Sequence, residues 1–277
     1  MLYLCATPIG NLEDMTYRVI KTLKEVDIIA AEDTRNSIKL LNHFDIHTPM
    51  TSYHEYNKIE KADELVAEML KGKNVALITD AGMPGISDPG EELVKRAKAA
   101  GIQVTVVPGA CACVSALVIS GLPTRRFCFE AFLPTDKKEL RRVLDDMKHE
   151  TRTIVMYEAP HRLVRTLEML LTELGDRQMT AVKELTKLHE NIYTGTISYL
   201  LSYFTANEPK GEFVLVIHGL DHEEIEEEEK KNWNETDLNE HMELYLSRGF
   251  DRKEAMKLVA RDRGISKRDV YSMLLSE

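Results

Sequence analysis

The first 120 residues alternate short apolar runs with amphipathic stretches, a pattern that few folds accept. Strands separated by helix-sized segments need crossover connections, and crossovers set the strands parallel in one sheet. The runs are Leu2 to Ala6, Asp27 to Ala31, Met50 to Tyr53, Val75 to Thr79 and Gln103 to Val107. Thr16 to Val26 and Ile59 to Leu70 read as helices between them. In the second of these, Leu65, Val66, Met69 and Leu70 keep a period near 3.6. Gly121-Leu122-Pro123-Thr124 interrupts the pattern, and a second one follows. Its strands are Phe127 to Phe132, Thr153 to Tyr157, Met179 to Lys183, Ile192 to Thr194 and Phe213 to Ile217, with helices near Lys137 to Met147 and Leu163 to Leu174. The expected organisation is an α/β domain over 1–120, a second over 121–220, an acidic linker over 221–234 and a helical tail over 235–277.

Composition narrows the class. Hydrophobic residues make up 43% and charged residues 30% of the 277, and no apolar run nears the roughly 20 residues of a membrane span, so a soluble cytoplasmic protein without a membrane partner is expected. The start, Met1 to Ala6, lacks a basic leader and breaks at Thr7-Pro8, which reads as a first strand rather than a signal peptide. Cys5, Cys111, Cys113 and Cys128 have neither disulfide-framework nor zinc spacing and are expected to be reduced, mostly buried thiols; no metal is expected. The net charge of −10 argues against generic adhesion to nucleic acid. Seven carboxylates, however, fall within Asp221 to Lys231, which leaves room for basic patches elsewhere.

Two such patches stand out. Arg125, Arg126, Lys137, Lys138, Arg141 and Arg142 flank the junction near residue 120 and could grip phosphates. Residues 245 to 272 carry eight basic side chains (Arg248, Arg252, Lys253, Lys257, Arg261, Arg263, Lys267 and Arg268) against four acidic ones. There a helix, a stop at Gly264 and a cap at Ser266 spell helix-turn-helix grammar. This tail reads as a nucleic-acid contact or as a plain packing module.

The loops leaving three strands are built from small residues. They are Thr7-Pro-Ile-Gly-Asn11, Asp80-Ala-Gly-Met-Pro-Gly-Ile-Ser-Asp-Pro-Gly90 and Pro108-Gly-Ala-Cys-Ala-Cys113. Open parallel sheets bind ligands beyond the carboxyl ends of their strands, and small residues let a ligand approach the backbone. Neither the dinucleotide-binding glycine fingerprint nor a phosphate loop is present, which disfavours nicotinamide chemistry and nucleotide hydrolysis.

Ala6-Thr-Pro-Ile-Gly-Asn-Leu12, Ala31-Glu-Asp-Thr-Arg35, Asp80-Ala-Gly-Met-Pro84, Asp88-Pro-Gly90, Pro108-Gly-Ala-Cys-Ala112, Phe132-Leu-Pro134, Tyr157-Glu-Ala-Pro-His-Arg162, Lys183-Glu-Leu-Thr-Lys-Leu-His-Glu190 and Gly211-Glu-Phe-Val-Leu-Val-Ile217 resemble, in order, the small-subunit ribosomal RNA cytidine-2′-O-methyltransferase I family. The resemblance spans the chain. It implies the two-domain, tetrapyrrole-methylase-like fold of class III S-adenosylmethionine methyltransferases, with a small helical module added. It also implies S-adenosylmethionine as donor, 16S ribosomal RNA or the assembled small subunit as substrate, and a homodimer. Carried over by motif, the donor would lie against Pro8 and Ile9, the loop holding Asp80, Gly82, Ile86 and Ser87, then Ala110, Cys111 and Ala112, and backbone near Glu184 and Leu185. Where tetrapyrrole-type relatives place Gly-Asp-Pro, this chain has Gly82-Met83-Pro84; whether Asp80 replaces that carboxylate is left open.

Methyl transfer needs in-line attack, and a ribose hydroxyl attacks poorly until a base takes or polarises its proton. Glu32 and Asp33 end the second strand, and His54, Glu55 and Asn57 follow the third. His54 is the expected base, with Asn57 or Glu55 orienting it or the ribose, and with Asp33 and Arg35 holding the substrate. His43, His47, His149 and His222 are expected to be solvated. Two rivals remain: a small-tetrapyrrole methylase, which would need neither basic patch, and an RNA-binding protein without catalysis.

Overall fold

The computed structural model describes residues 1–221 and 230–276; His222 and the acidic run 223–229 lie outside them. Met1–His218 and Gly219–Glu277 form two compact units.

In the first unit, β1 (Leu2–Cys5), β2 (Ile28–Ala31), β3 (Met50–Ser52), β4 (Val75–Ile78) and β5 (Val104–Val107) pair in parallel in the order β3-β2-β4-β1-β5. Both faces are covered, as alternate residues show. Ile29, Ala31, Ala76 and Ile78 pack with Val19 and Leu23 of α1 (Tyr17–Glu25) and Leu41 of α2 (Thr34–His43). Ala30, Val75 and Leu77 pack with Leu65 and Met69 of α3 (Lys58–Leu70) and Leu93 and Ala97 of α4 (Gly90–Ala99). Strands buried on both faces are apolar throughout, which is why β2 and β4 carry no polar residue.

A second sheet has the order β6-β7-β10-β8-β9, from β6 (Phe127–Phe132), β7 (Thr153–Glu158), β8 (Gln178–Lys183), β9 (Asn191–Thr196) and β10 (Phe213–Ile217). Only the β6–β7 pair is parallel. One face packs against α6 (Lys137–Lys148), α7 (Pro160–Leu174) and α8 (Ile197–Ala206). The other face, through Val155, Val182, Val214 and Val216, receives Cys113, Ala116 and Leu117 of α5 (Ala112–Ile119). Because α5 leaves the first sheet directly after β5 and packs on the second, the two sheets share one compact unit. The buried Arg177 donates to the carbonyls of Leu174, Met147, Lys148 and Glu150, and so satisfies groups that the ends of α6 and α7 leave without helical partners.

The second unit holds α9 (Leu238–Ser247), α10 (Arg252–Asp262) and α11 (Lys267–Ser276) around Leu238, Met242, Ala255, Val259 and Val270. The expected turn is present. Gly264 takes φ +67°, and Ser266 and Asp269 bond reciprocally, Oγ donating to the carboxylate while the Asp269 N–H donates to Oγ. Arg263, expected among the contact cations, is instead buried, donating to His241 Nδ1 at 3.2 Å and to the Thr236 carbonyl at 2.6 Å. No helix among the described residues is long and apolar enough to cross a membrane.

Candidate active site

The strands that precede the three small-residue loops, β4, β1 and β5, are neighbours in the sheet. The first two loops are tied together: Thr7 N–H donates to the Gly82 carbonyl at 2.9 Å, Gly82 N–H returns to Thr7 at 3.1 Å, and Thr7 Oγ1 donates to the Thr79 carbonyl at 3.0 Å. Gly82 sits at φ +83°, and a Cβ there would lie 3.2 Å from Ile9 Cγ2, so the turn requires glycine. Asp88 then holds the loop by accepting from the N–H groups of Gly85, Ile86 and Gly90, while the buried Tyr53 hydroxyl donates to the Pro89 carbonyl. Ser87 is kept at φ +66°, a strained position for a residue with a side chain.

These loops and the second sheet enclose a cavity of about 490 Å³. Of the expected donor contacts, Ile9, Asp80, Gly82, Ile86, Ser87, Cys111, Ala112 and Leu185 line it. Pro8 lines a neighbouring cavity instead, and Ala110 and Glu184 line neither. Glu184, at φ +51°, pairs its backbone with Glu212 and accepts from Lys187. The walls that sequence reasoning missed come from the second sheet: Phe132, Tyr157 to Pro160, Val182 and Glu212 to Val214. Their trace was the Phe132-Leu-Pro and Tyr157-Glu-Ala-Pro runs, which carry the family resemblance but end strands whose place over the first sheet no local pattern reveals.

Of the six polar residues expected to act, Glu32, Asp33, Arg35, His54, Glu55 and Asn57, the structure brings only Glu32 into this cavity. Thr79 Oγ1 donates to Glu32 Oε2 at 2.5 Å; Oε1 has no donor among the described residues. Asp33 caps α2 by accepting from the Arg35 N–H at 2.8 Å and binds the Arg35 guanidinium through both oxygens, which holds its carboxyl down at about 2. His54, Asn57, Asp33 and Arg35 line neither cavity. Asn57 accepts from the His54 backbone N–H at 2.8 Å and thus orients the chain rather than the imidazole, whose buried Nδ1 has no hydrogen-bond partner among the described residues. Glu55 binds Lys58 at 2.5 Å.

Among the described residues, five carboxylates (Glu32, Asp80, Asp88, Glu158 and Glu212) and no lysine or arginine line the cavity. Glu158 is buried and accepts from Thr166 Oγ1 at 2.6 Å. Cys111, the N-cap of α5, lies with Sγ 3.5 Å from that of Cys113. The contact between the two thiols holds Cys111 below the usual thiol range; that contact and burial push Cys113 up. All four cysteines are free, Cys5 and Cys113 buried and the other two half-buried.

A second cavity of about 560 Å³ adjoins the first and shares Ile9, Asp80, Ala81 and Glu212 with it. His43, exposed as expected, lies on its wall. Lys187 crosses Gly10, where any side chain would collide with it, and binds Glu184 at 2.9 Å and Glu212 at 2.8 Å.

This fold and cavity define a methyltransferase of class III architecture. Residues 1–201 match the model of the tetrapyrrole (corrin/porphyrin) methylases. Similar solved structures include a uroporphyrin-III-C-methyltransferase from Thermus thermophilus (TM-score 0.56, 20% identity, 78% of this chain and 93% of that one) and the methyltransferase CobJ (TM-score 0.59, 18% identity, 79% and 93%). At such identities the likeness speaks for the fold alone. Proteins named ribosomal RNA small subunit methyltransferase I are far more similar. That of Halalkalibacterium halodurans is 49% identical over 100% of this chain and 95% of its own length, and that of Bacillus subtilis 47% identical over 98% and 92%. The chain therefore belongs to the tetrapyrrole methylase family and, within it, to the ribosomal RNA small subunit methyltransferase I group.

Proposed function

We propose that the protein transfers a methyl group from S-adenosylmethionine to the 2′-hydroxyl of a cytidine in 16S ribosomal RNA, in the cytoplasm and as a homodimer. The observation that carries the donor assignment is the charge of the cavity. Glu158 and Glu212 are paired with Arg162 and Lys187 outside the wall, but Glu32, Asp80 and Asp88 have no ion pair among the described residues. Those three suit a cationic sulfonium and oppose a polyphosphate, while Ile9, Phe132, Tyr157, Val182 and Val214 supply apolar walls for an adenosyl group. When bound, this donor supplies an electrophilic methyl carbon.

The remaining chemistry belongs to the chain. Glu32 takes the place expected of His54: its Oε1 accepts the ribose proton, and Thr79 fixes the other oxygen. The Thr7–Gly82 pair and the Asp88 cage keep the loops from shifting, which preserves alignment for in-line attack. In this reading residues 1–120 and 121–220 are domains that supply the two walls, and the tail over 235–277 contacts RNA through its exposed cations. The homodimer is supported by α5, apolar but for Ser115: its Val114 and Val118 are 45% and 67% exposed, and Val106 on the edge strand before it 48%. Incubation with methyl-labelled donor and small subunits lacking the modification should yield labelled 2′-O-methylcytidine after digestion. Label on a base, or on no nucleoside, would refute the assignment.

A further inference from the structure

The second cavity, unlike the first, is lined by cations as well as by carboxylates, here Asp80 and Glu212. Asn36, Lys39, Leu40 and His43 recur at helical offsets of three and four, so α2 turns one face into it, while Ser37 and Leu41 are buried. The cations lining it are Lys39, Lys187 and, when protonated, His43. Lys187 is neutralised by Glu184 and Glu212. The Lys39 side chain has no hydrogen bond or ion pair among the described residues, which leaves its ammonium available to an anion.

The two cavities meet at Ile9, Asp80, Ala81 and Glu212, so a ligand in each can touch the other at that wall. At about 560 Å³ the second is sized for one small ligand and not for a duplex. A ribose placed at the shared wall presents its hydroxyl to the acidic cavity, and a phosphate flanking it reaches toward Lys39 in the second. A nucleotide held so must leave its stack.

We infer that this second cavity is the acceptor site, taking one everted nucleotide, with Lys39 gripping the phosphate beside the methylated ribose and His43 seconding it. The inference rests on the reading of the protein as an RNA ribose methyltransferase and assigns that reading its substrate contacts. Lys39→Ala should raise the KM for small-subunit RNA roughly tenfold and lower the slope of log affinity against log salt by about one, while the donor Kd, measured by calorimetry, stays at the wild-type value. Lys39→Arg should restore both quantities. Unchanged KM and slope in Lys39→Ala, with donor binding intact, would overturn the inference and leave the activity standing. A wild-type protein that binds the donor and methylates no ribose in that RNA would overturn the functional reading and the inference together.

Discussion

Glu32 and His54 both lie just past strand ends of one sheet, and only Glu32 lines the acidic cavity. Glu32→Gln should lower kcat by about 10²-fold to 10⁴-fold with the donor Kd nearly unchanged, because the amide keeps the shape and the Thr79 contact but accepts no proton. His54→Ala should leave kcat within a few-fold of wild type, and the wild-type rate should show no limb near the imidazole range that the variant lacks. A kcat that collapses in His54→Ala alone would return the base to the histidine. Asp33→Asn keeps a helix-capping side chain and gives up the Arg35 pair, so kcat should survive it. Gly82→Ala should destabilise the protein by roughly 1–3 kcal/mol in denaturant titrations, the usual cost of a side chain in the left-handed region. The sequence showed the small-residue loops because glycine and proline advertise turns; it could not show that Glu32 and not His54 lines the cavity, since both are polar residues just past strand ends and only the packing of the second sheet decides which one the cavity reaches.

Among the elements, the expected strands and helices recur nearly to the residue, since both sheets are marked by apolar runs between strong breakers. The helical tail is explained by an internal lock that its pattern did not reveal. His241 is fully buried, stacks on Trp233 with ring centroids 3.8 Å apart, and accepts from Arg263. Burial and the Arg263 charge push its pKa below the ordinary histidine value, against the opposing pull of Asp262. A depressed histidine contributes stability above its unfolded pKa and loses it as pH falls through that value toward the folded one. The second unit should therefore weaken below about pH 6.5, by at most about 1.4 kcal/mol per pH unit for the single proton. Trp233 is the chain's one tryptophan, so its fluorescence reports this unit in the intact protein. The denaturation midpoint read at that signal should fall between pH 7 and 5.5, and His241→Gln should flatten the dependence; a midpoint constant over that range in the wild type would contradict the account.

On the scale of the whole molecule, a fold that spans both sheets brings an acidic cavity into contact with one that holds Lys39, unpaired among the described residues, while the helical unit that begins at Gly219 is compact in itself. Removing residues 219–277 should leave the donor Kd near the wild-type value and raise the KM for RNA; lost donor binding in a soluble truncated protein would make the tail part of the catalytic core. The alternation of strand and helix foretold two α/β halves, yet not that α5 would leave one sheet to pack on the other, because its apolar run carries no sign of which sheet it covers. The central claim is methyl transfer to a cytidine ribose of the small subunit. Its most direct test is a map of ribose methylation in 16S ribosomal RNA from a strain lacking the gene, complemented with wild type or with Glu32→Gln. The account predicts that one cytidine loses its 2′-O-methyl group and regains it with wild type alone; a map that the deletion leaves unchanged would contradict it.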